Sequence, residues 1–592
     1  MMDASSKIQA GIYFGNIADL GSFDECLRIR NEEEKIKGKY CLAKLDIPML
    51  HNGSNDNEET DSHSTYDHKM RWSICVPDGC TAEDVEAHLN SYDQNLNFTL
   101  KEDQCQTIES QLKLNSSDWI IIGILIGLAC VILLSTIYDI FLHYITKDPV
   151  HPLTVAFSWF TNFKKLTQIN NNSDVLPCLN GIRVLSMFWI IHSHEILYAS
   201  ESPMINMKEA KEIWLTHIWS LFTLSSSVAT DTFLFLSGLL IMYGFLKSRA
   251  KKIPFNIPIF HMHRYLRLTP SYAALIILYL TLYMKLGSGP IWETCNQRLQ
   301  DNCKEFWWTS LLYIQNFVNA DRVCADQSWY LFVDMQLYIL SPLILIPIDK
   351  WPKIAPYLFG SLVAAFTIIP TTVAWYYDIQ VISTNRVIND WNKIYYGQVH
   401  TRGGPWMIGL VLGYILFQTK HKKIRINKIL AAFLWLFTVL AILYIIFGIY
   451  PKFDFQYSKL YSIIYIGFHR NVWALGLCWI VFACVHGYGG PVNWFLSLSV
   501  FQFLAKITYA TYILSEGFQN YNRGILRVPV VFKNFYFLKS FFSTTCFCTV
   551  LSIIWVLCFE APFGIIDGVI IKAVSNIARK ENVKREKVKQ DT

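Results

Sequence analysis

The 592-residue chain is 52% hydrophobic and only 17% charged, with a formal net charge of +6. This balance excludes an ordinary soluble protein, because repeated apolar runs approach the roughly 20 residues needed to cross a hydrocarbon core. The positive excess is explained by membrane topology and gives no reason to expect a nucleic-acid partner.

Residues 1–117 differ from the rest. They are polar and acid-rich, contain Cys26, Cys41, Cys75, Cys80 and Cys105, and carry glycosylation sequons at Asn52, Asn97 and Asn115. Cysteines beside sequons indicate an oxidising, glycosylating compartment, hence a disulfide-bonded extracytoplasmic domain. Five cysteines leave one over, and no hydrophobic signal segment follows Met1. The expectation is therefore that a signal peptide and a partner cysteine lie upstream of this sequence.

The first predicted span, Trp119 to Ile145, sits within residues 118–146, and a cytosolic linker follows at 147–177. Further spans are expected near 183–199, 216–246, 267–284, 329–348, 354–376, 405–418, 429–449, 471–486, 499–515 and 540–559. The predicted fold class is an all-α polytopic membrane protein of about eleven transmembrane helices with a small extracytoplasmic domain.

Basic clusters at Lys247, Arg249, Lys251 and Lys252, at Lys420 to Lys428, and in the tail from Arg579 to Lys589 fall on one side of that count. That side is expected to be cytosolic. The opposite loop, with Arg523, Arg527, Lys533 and Lys539, weakens the bias. The reading is an integral protein of the plasma membrane or endomembranes, with an outward amino-terminal domain and a basic cytosolic tail at 566–592. A second lumenal group, Cys295, Cys303 and Cys324, lies in a long loop and is expected to form an internal bridge or to join the first group. The remaining cysteines read as small apolar residues.

Within CLNGIRVLSMFWIIHSHE, Arg183 and His194 are eleven positions apart, roughly 20° past three helical turns, so they face one way with about 16 Å of rise between them. His192 faces elsewhere. Ionisable groups in an apolar span are costly unless they meet a cavity or a partner. Two accounts stand: a functional pair, or a helix-anchoring arginine with a histidine satisfied by a neighbouring carbonyl. An imidazole has a pKa suited to taking a hydroxyl proton near neutrality.

Asp231, Ser237 and Gly238 share one apolar span; Asp231 either partners Arg183 or His194 or marks the span's lumenal mouth. In HRYLRLTP, Arg264 and Arg267 share a helical face at a cytosolic helix end, for phosphate contact or simple topology. His261 and His263 lack a third ligand, so no metal site is expected. Asp334 in SWYLFVDMQLYILSPL either orients His194, receives a proton, or pairs with an arginine. Arg402 in TRGGPWMIGL reads as a lumenal acceptor contact or as loop structure, and Glu560 in FEAP as part of a helix end.

The amino-terminal text GNIADLGSFDECLRI, GKYCL and ICVPDGCTAEDV resembles the cysteine-containing ectodomain of the nose-resistant-to-fluoxetine family. Residues 178–565 resemble the acyltransferase type 3 class through CLNGIR, DTFLFLSGLL, HRYLRLTP, SWYLFVDMQLYILSPL, TRGGPWMIGLVLGY, GYGGPVNWFLSLS and FEAP, in that order. The resemblance implies acyl transfer from a cytosolic acyl-CoA co-substrate, with no bound cofactor, to a lipid, sterol or glycan acceptor. It implies that His194 is the catalytic histidine, assisted by Asp231 and Asp334, and that Arg183, Arg264 and Arg267 hold the donor's phosphates. Ser237, Trp329, Gln336, Arg402 and Glu560 are its other motif positions. Met335, Asn180 and Ser515 depart from the class pattern, which commonly has an acid, Asp and His there. The alternatives are a lipid or small-hydrophobe transporter without covalent catalysis, or an adhesion or receptor role for the ectodomain.

Overall fold

The computed structural model describes residues 1–33, 35–46, 70–92, 97–111, 113–146, 151–169, 176–379, 392–420, 422–448, 458–571 and 573. The Asn52 sequon and the Arg579 to Lys589 tail lie outside them, whereas Asn97 and Asn115 are exposed.

The all-α expectation does not hold for the amino-terminal domain, which is built on a six-stranded sheet. Its strands are β1 (Ala18–Asp19), β2 (Arg30–Asn31), β3 (Ile36–Asp46), β4 (Met70–Pro77), β5 (Asn97–Thr99) and β6 (Cys105–Gln106). β3 and β4 pair antiparallel from Gly38 opposite Pro77 to Leu45 opposite Met70. The other four span two or three residues each, too short to leave an alternating pattern. Helices α1 (Phe23–Arg28) and α2 (Ala82–Tyr92) flank the sheet.

Covalent ties support this small core. Cys26 bonds Cys75, joining α1 to β4, and Cys41 bonds Cys105, joining β3 to β6. The third bridge, Cys303–Cys324, is internal to the second cysteine group. Cys80 and Cys295, both disulfide candidates from sequence, are free thiols. Cys295 packs against the layer of Phe23, Cys26 and Cys75, whose sulfurs already pair with each other. The Cys80 carbonyl accepts from the nearly buried Lys39 ammonium at 2.9 Å, and that ammonium also pairs with Glu102. Lys39 thereby holds the Glu102 carboxyl below its ordinary range.

Among the described residues, seven helices are long and apolar enough to cross a membrane. They include α3 (Ser116–Phe141), α5 (Ser227–Ala250), α8 (Trp329–Leu340, continued by Pro342–Lys350), α9 (Ala355–Tyr376), α11 (Lys428–Phe447), α12 (Lys459–His486) and α14 (Asn534–Trp555). Four more, α4 (Cys178–Ser200), α6 (Ile257–Leu280), α10 (Val399–Thr419) and α13 (Ser499–Gly524), are 21 to 26 residues long but less apolar. The reason is that these four carry Arg183, His194, Arg264, Arg267, Arg402 and Glu516. Helix α7 (Trp292–Leu311) occupies the region expected to be a long loop.

Helix α3 keeps its apolar window out of the protein core, as a lipid-facing helix does, and Asp139 near its end accepts from Ser158 and Thr161, both at 2.6 Å. At the α5–α10 seam the backbones nearly touch. A Cβ on Gly238 would strike the Trp406 carbonyl, and one on Gly409 the Phe235 carbonyl, so only glycine fits. The amino-terminal domain rests on the loops after α6 and α13. Gln106 donates to the Gly289 carbonyl at 3.1 Å, Arg527 pairs with Asp24 at 2.9 Å, and Ile291 is part of the core around Phe23 and Tyr40.

Peptide mapping without reduction is expected to recover the three named bridges and to find Cys80 and Cys295 alkylated. Separately, because the Glu102 carboxyl is depressed, its contribution to folding is complete above the ordinary carboxylate range and declines as pH falls through the depressed value. Acid titration of the stability of the amino-terminal domain, followed by circular dichroism, should therefore lose part of its low-pH limb in Glu102→Gln.

Candidate functional site

The central feature is a buried ion cluster. Asp231 of α5 is wholly buried and accepts from Arg402 Nη1 of α10 at 3.0 Å, with Arg470 Nε of α12 at 3.9 Å. Three helices thus meet on one carboxylate, and two guanidiniums share its charge. Sequence expectation placed Asp231 beside Arg183 or His194 or at a span mouth, and Arg402 at an acceptor or in loop structure. Instead the two bind each other inside helices, because neither charge survives in the bundle without the other.

Arg402 is positioned further by the Tyr396 carbonyl at 2.8 Å, and its guanidinium lies 4.6 Å from the Trp329 ring centre and 4.7 Å from that of Tyr396. Those two rings wall a cavity of about 30 Å³, completed by Ile190, His194, Ser226, Ser227, Thr230 and Tyr512. Such a volume suits about one water molecule. His194 Nδ1 is buried and lacks a hydrogen-bond partner among the described residues. His192, two residues earlier, lies against Phe222 and Phe541 instead.

One turn beyond His194, Tyr198 donates to Glu516 of α13, and their helices continue this polar seam. Gln519 reaches Glu195 at 3.0 Å, and Arg523 pairs with Glu201 at 2.6 Å. Sequence reasoning missed Glu516 although it follows the departure at Ser515. Its signal was the spacing Tyr512, Glu516, Gln519 and Arg523, which is one face of a helix. Glu516 is 4% exposed, and its Oε2 has no hydrogen-bond partner among the described residues.

At the other end of α4, Arg183 lies within electrostatic reach of Arg267, Arg264 and Tyr330. Arg264 pairs with Asp334 and lies 5.1 Å from the Tyr338 ring centre. Asp334, for which the sequence left three roles open, thus stands in an ion pair with an arginine. Glu560 feels the charge of Arg267. Gln336 belongs to packing polar groups, donating to the Tyr313 carbonyl at 2.7 Å and to Asn316 at 2.8 Å. Ser237 Oγ is buried and has no hydrogen-bond partner among the described residues. The structure therefore gathers Arg183, Arg264, Arg267, Asp334 and Glu560 near one end of the bundle. His194 and Trp329 lie at the cavity, with Asp231 and Arg402 behind its wall. No group of three His, Cys, Asp or Glu residues suited to a metal occurs among the described residues.

Comparison with known proteins gives the family. Residues 1–89 match the nose resistant-to-fluoxetine protein, N-terminal domain, and residues 176–560 match an acyltransferase domain. Nose resistant to fluoxetine protein 6 of Caenorhabditis elegans is 28% identical over 658 aligned residues, covering 97% of this chain and 78% of the relative. Regulator of hypoxia-inducible factor 1 of the same organism is 24% identical over 372 residues, covering 58% of this chain and 71% of the relative. No solved structure matches.

Replacing Arg402 by Gln leaves Asp231 with Arg470 alone, at 3.9 Å. The expected loss is about 3 kcal/mol of stability, read as a lower midpoint of thermal unfolding in detergent. Adding Asp231→Asn to the same chain should deepen that loss, since the buried Arg470 guanidinium is then left without a carboxylate.

Proposed function

The chain belongs to the acyltransferase-domain family and carries the nose resistant-to-fluoxetine N-terminal domain, and on that premise we propose that it is a membrane-bound O-acyltransferase. The donor is a cytosolic acyl-CoA-type thioester, and the acceptor is a hydroxyl of a lipid or extracytoplasmic molecule. In this reading residues 1–117 form the outward domain, 118–146 the first crossing, 147–177 a cytosolic linker and 178–565 the catalytic membrane domain. Four further crossings join the seven apolar helices to give eleven, and residues from 566 onward return to the cytosol.

The observation that carries the proposal is the buried His194 Nδ1, without a hydrogen-bond partner among the described residues, at a small cavity and on the same helix as Arg183. His194 takes the acceptor's hydroxyl proton as the oxygen attacks the thioester carbonyl carbon. The carbon–sulfur bond then breaks, and the departing thiolate takes up the proton from the imidazolium. Arg183, Arg264 and Arg267 suit the donor's phosphates because guanidiniums make paired hydrogen bonds to such groups. Roughly 16 Å of helical rise separates Arg183 from His194, so donor phosphates and reacting carbonyl occupy opposite ends of an extended molecule. Two guanidiniums on the single Asp231 carboxylate leave a positive excess, with Arg402 against the Trp329 and Tyr396 rings and Arg470 over Tyr395, and that charge favours an oxyanion over the neutral carbonyl.

Incubation of purified protein in lipid nanodiscs with acyl-labelled acyl-CoA should move label into lipid or sterol. His194→Ala should lower that rate by roughly 10²- to 10⁴-fold while leaving the protein monodisperse. Movement of unmodified lipid without any covalent transfer would replace this reading with transport.

A further inference from the structure

A second concavity lies away from the His194 cavity, where α10 and α12 both end. It has a volume of about 320 Å³ and is lined by Lys420, Lys422, Lys423, Ile424, Val485 and His486. None of these residues is acidic. From Val399 to Leu498 the sequence contains a single acid, Asp454, which follows α11, whereas the lysines precede it. No carboxylate near in sequence is therefore available to neutralise the three ammonium groups.

The walls are fixed by specific bonds. The Tyr488 hydroxyl accepts from the Ile426 N–H at 2.7 Å and donates to the Ile424 carbonyl at 2.9 Å, which ties the lysine-bearing loop to the end of α12. Thr419 Oγ1 and His486 Nε2 are 3.1 Å apart, joining the two helix ends. Lys420 Nζ is buried, has no hydrogen-bond partner among the described residues and lies 5.6 Å from the Tyr243 ring centre. A basic loop retained only for topology needs neither a buried ammonium nor a pinned backbone.

A row of rings fixes the depth of this site. The Trp435 indole N–H donates to the Tyr488 carbonyl at 3.1 Å, Trp435 lies 6.2 Å from Trp479, Trp479 stacks on Phe482, and Phe482 lies 4.4 Å from His486. Tryptophans cluster at the level of lipid headgroups, so the lysines stand at the boundary between hydrocarbon and water. Basic pockets between helices at the cytosolic face receive phosphorylated headgroups.

We propose that this pocket binds the multiply phosphorylated headgroup of an anionic phospholipid in the cytosolic leaflet. The assignment of leaflet rests on the orientation proposed above, whereas the binding chemistry is independent of acyl transfer. The lysines neutralise the phosphates, and Ile424 and Val485 meet the apolar base of the headgroup.

The test uses the full chain in phosphatidylcholine nanodiscs doped with either phosphatidylinositol bisphosphate or phosphatidylserine, with retained lipid read by native mass spectrometry. The bisphosphate lipid should be retained over phosphatidylserine. Combining Lys420→Gln, Lys422→Gln and Lys423→Gln should reduce retention on the order of tenfold or more. Tyr488→Phe, which removes no charge, should also weaken retention by freeing the loop. Equal retention of the two lipids, or retention unchanged in both variants, would overturn the proposal. Equally strong binding of soluble inositol trisphosphate would overturn the assignment to a lipid. His194→Ala should bind lipid like the parent chain, so failure of acyl transfer and failure of this site are read separately.

Discussion

A carboxylate sealed between two guanidiniums organises this protein. Asp231 draws Arg402 from α10 and Arg470 from α12 onto α5. Removing charged groups from water is expensive, and the expense is recovered only when their partners stay in place, so the cluster fixes three helices in register. The glycine seam between α5 and α10 makes the approach possible, since any Cβ at Gly238 or Gly409 would meet a backbone carbonyl. Fixing Arg402 also fixes Trp329 and Tyr396, whose rings face the guanidinium on one side and wall the His194 cavity on the other.

Much of the membrane part was legible in the sequence because its governing signals are local. Arg183 and His194 could be placed on one face from helical periodicity, and the apolar runs gave most helices. The partners of Asp231 were not legible. Arg402 lies 171 positions away, and no local period reports which of several buried arginines a carboxylate will meet. The sheet escaped for a different reason: strands of two or three residues carry no alternating pattern, and they pair with β3 and β4 in a domain tied by Cys26–Cys75 and Cys41–Cys105, contacts across 49 and 64 positions. Which cysteines pair was not legible either, since Cys80 and Cys295 are thiols in the same layers as the bridged pairs.

The departures at Met335 and Ser515 acquire a physical sense in the folded chain. Met335 is buried within the core around Tyr272 and Tyr512, where a second carboxylate would need its own cation, while neighbouring Asp334 already occupies Arg264. Ser515 is buried and bonds back to the Tyr512 carbonyl at 3.2 Å, and the adjacent Glu516 faces Tyr198. The polar seam between α4 and α13 is thus carried by Glu195 and Tyr198 on α4 and by Glu516 and Gln519 on α13.

Ile291, after α6, completes a core whose other members, including Phe23, Tyr40 and Cys75, belong to the amino-terminal domain. Ribosomes make the sheet residues long before that isoleucine. The amino-terminal domain consequently reaches its final packing only once the polypeptide has been made beyond α6, so its maturation and that of the helical part are one coupled event during biogenesis.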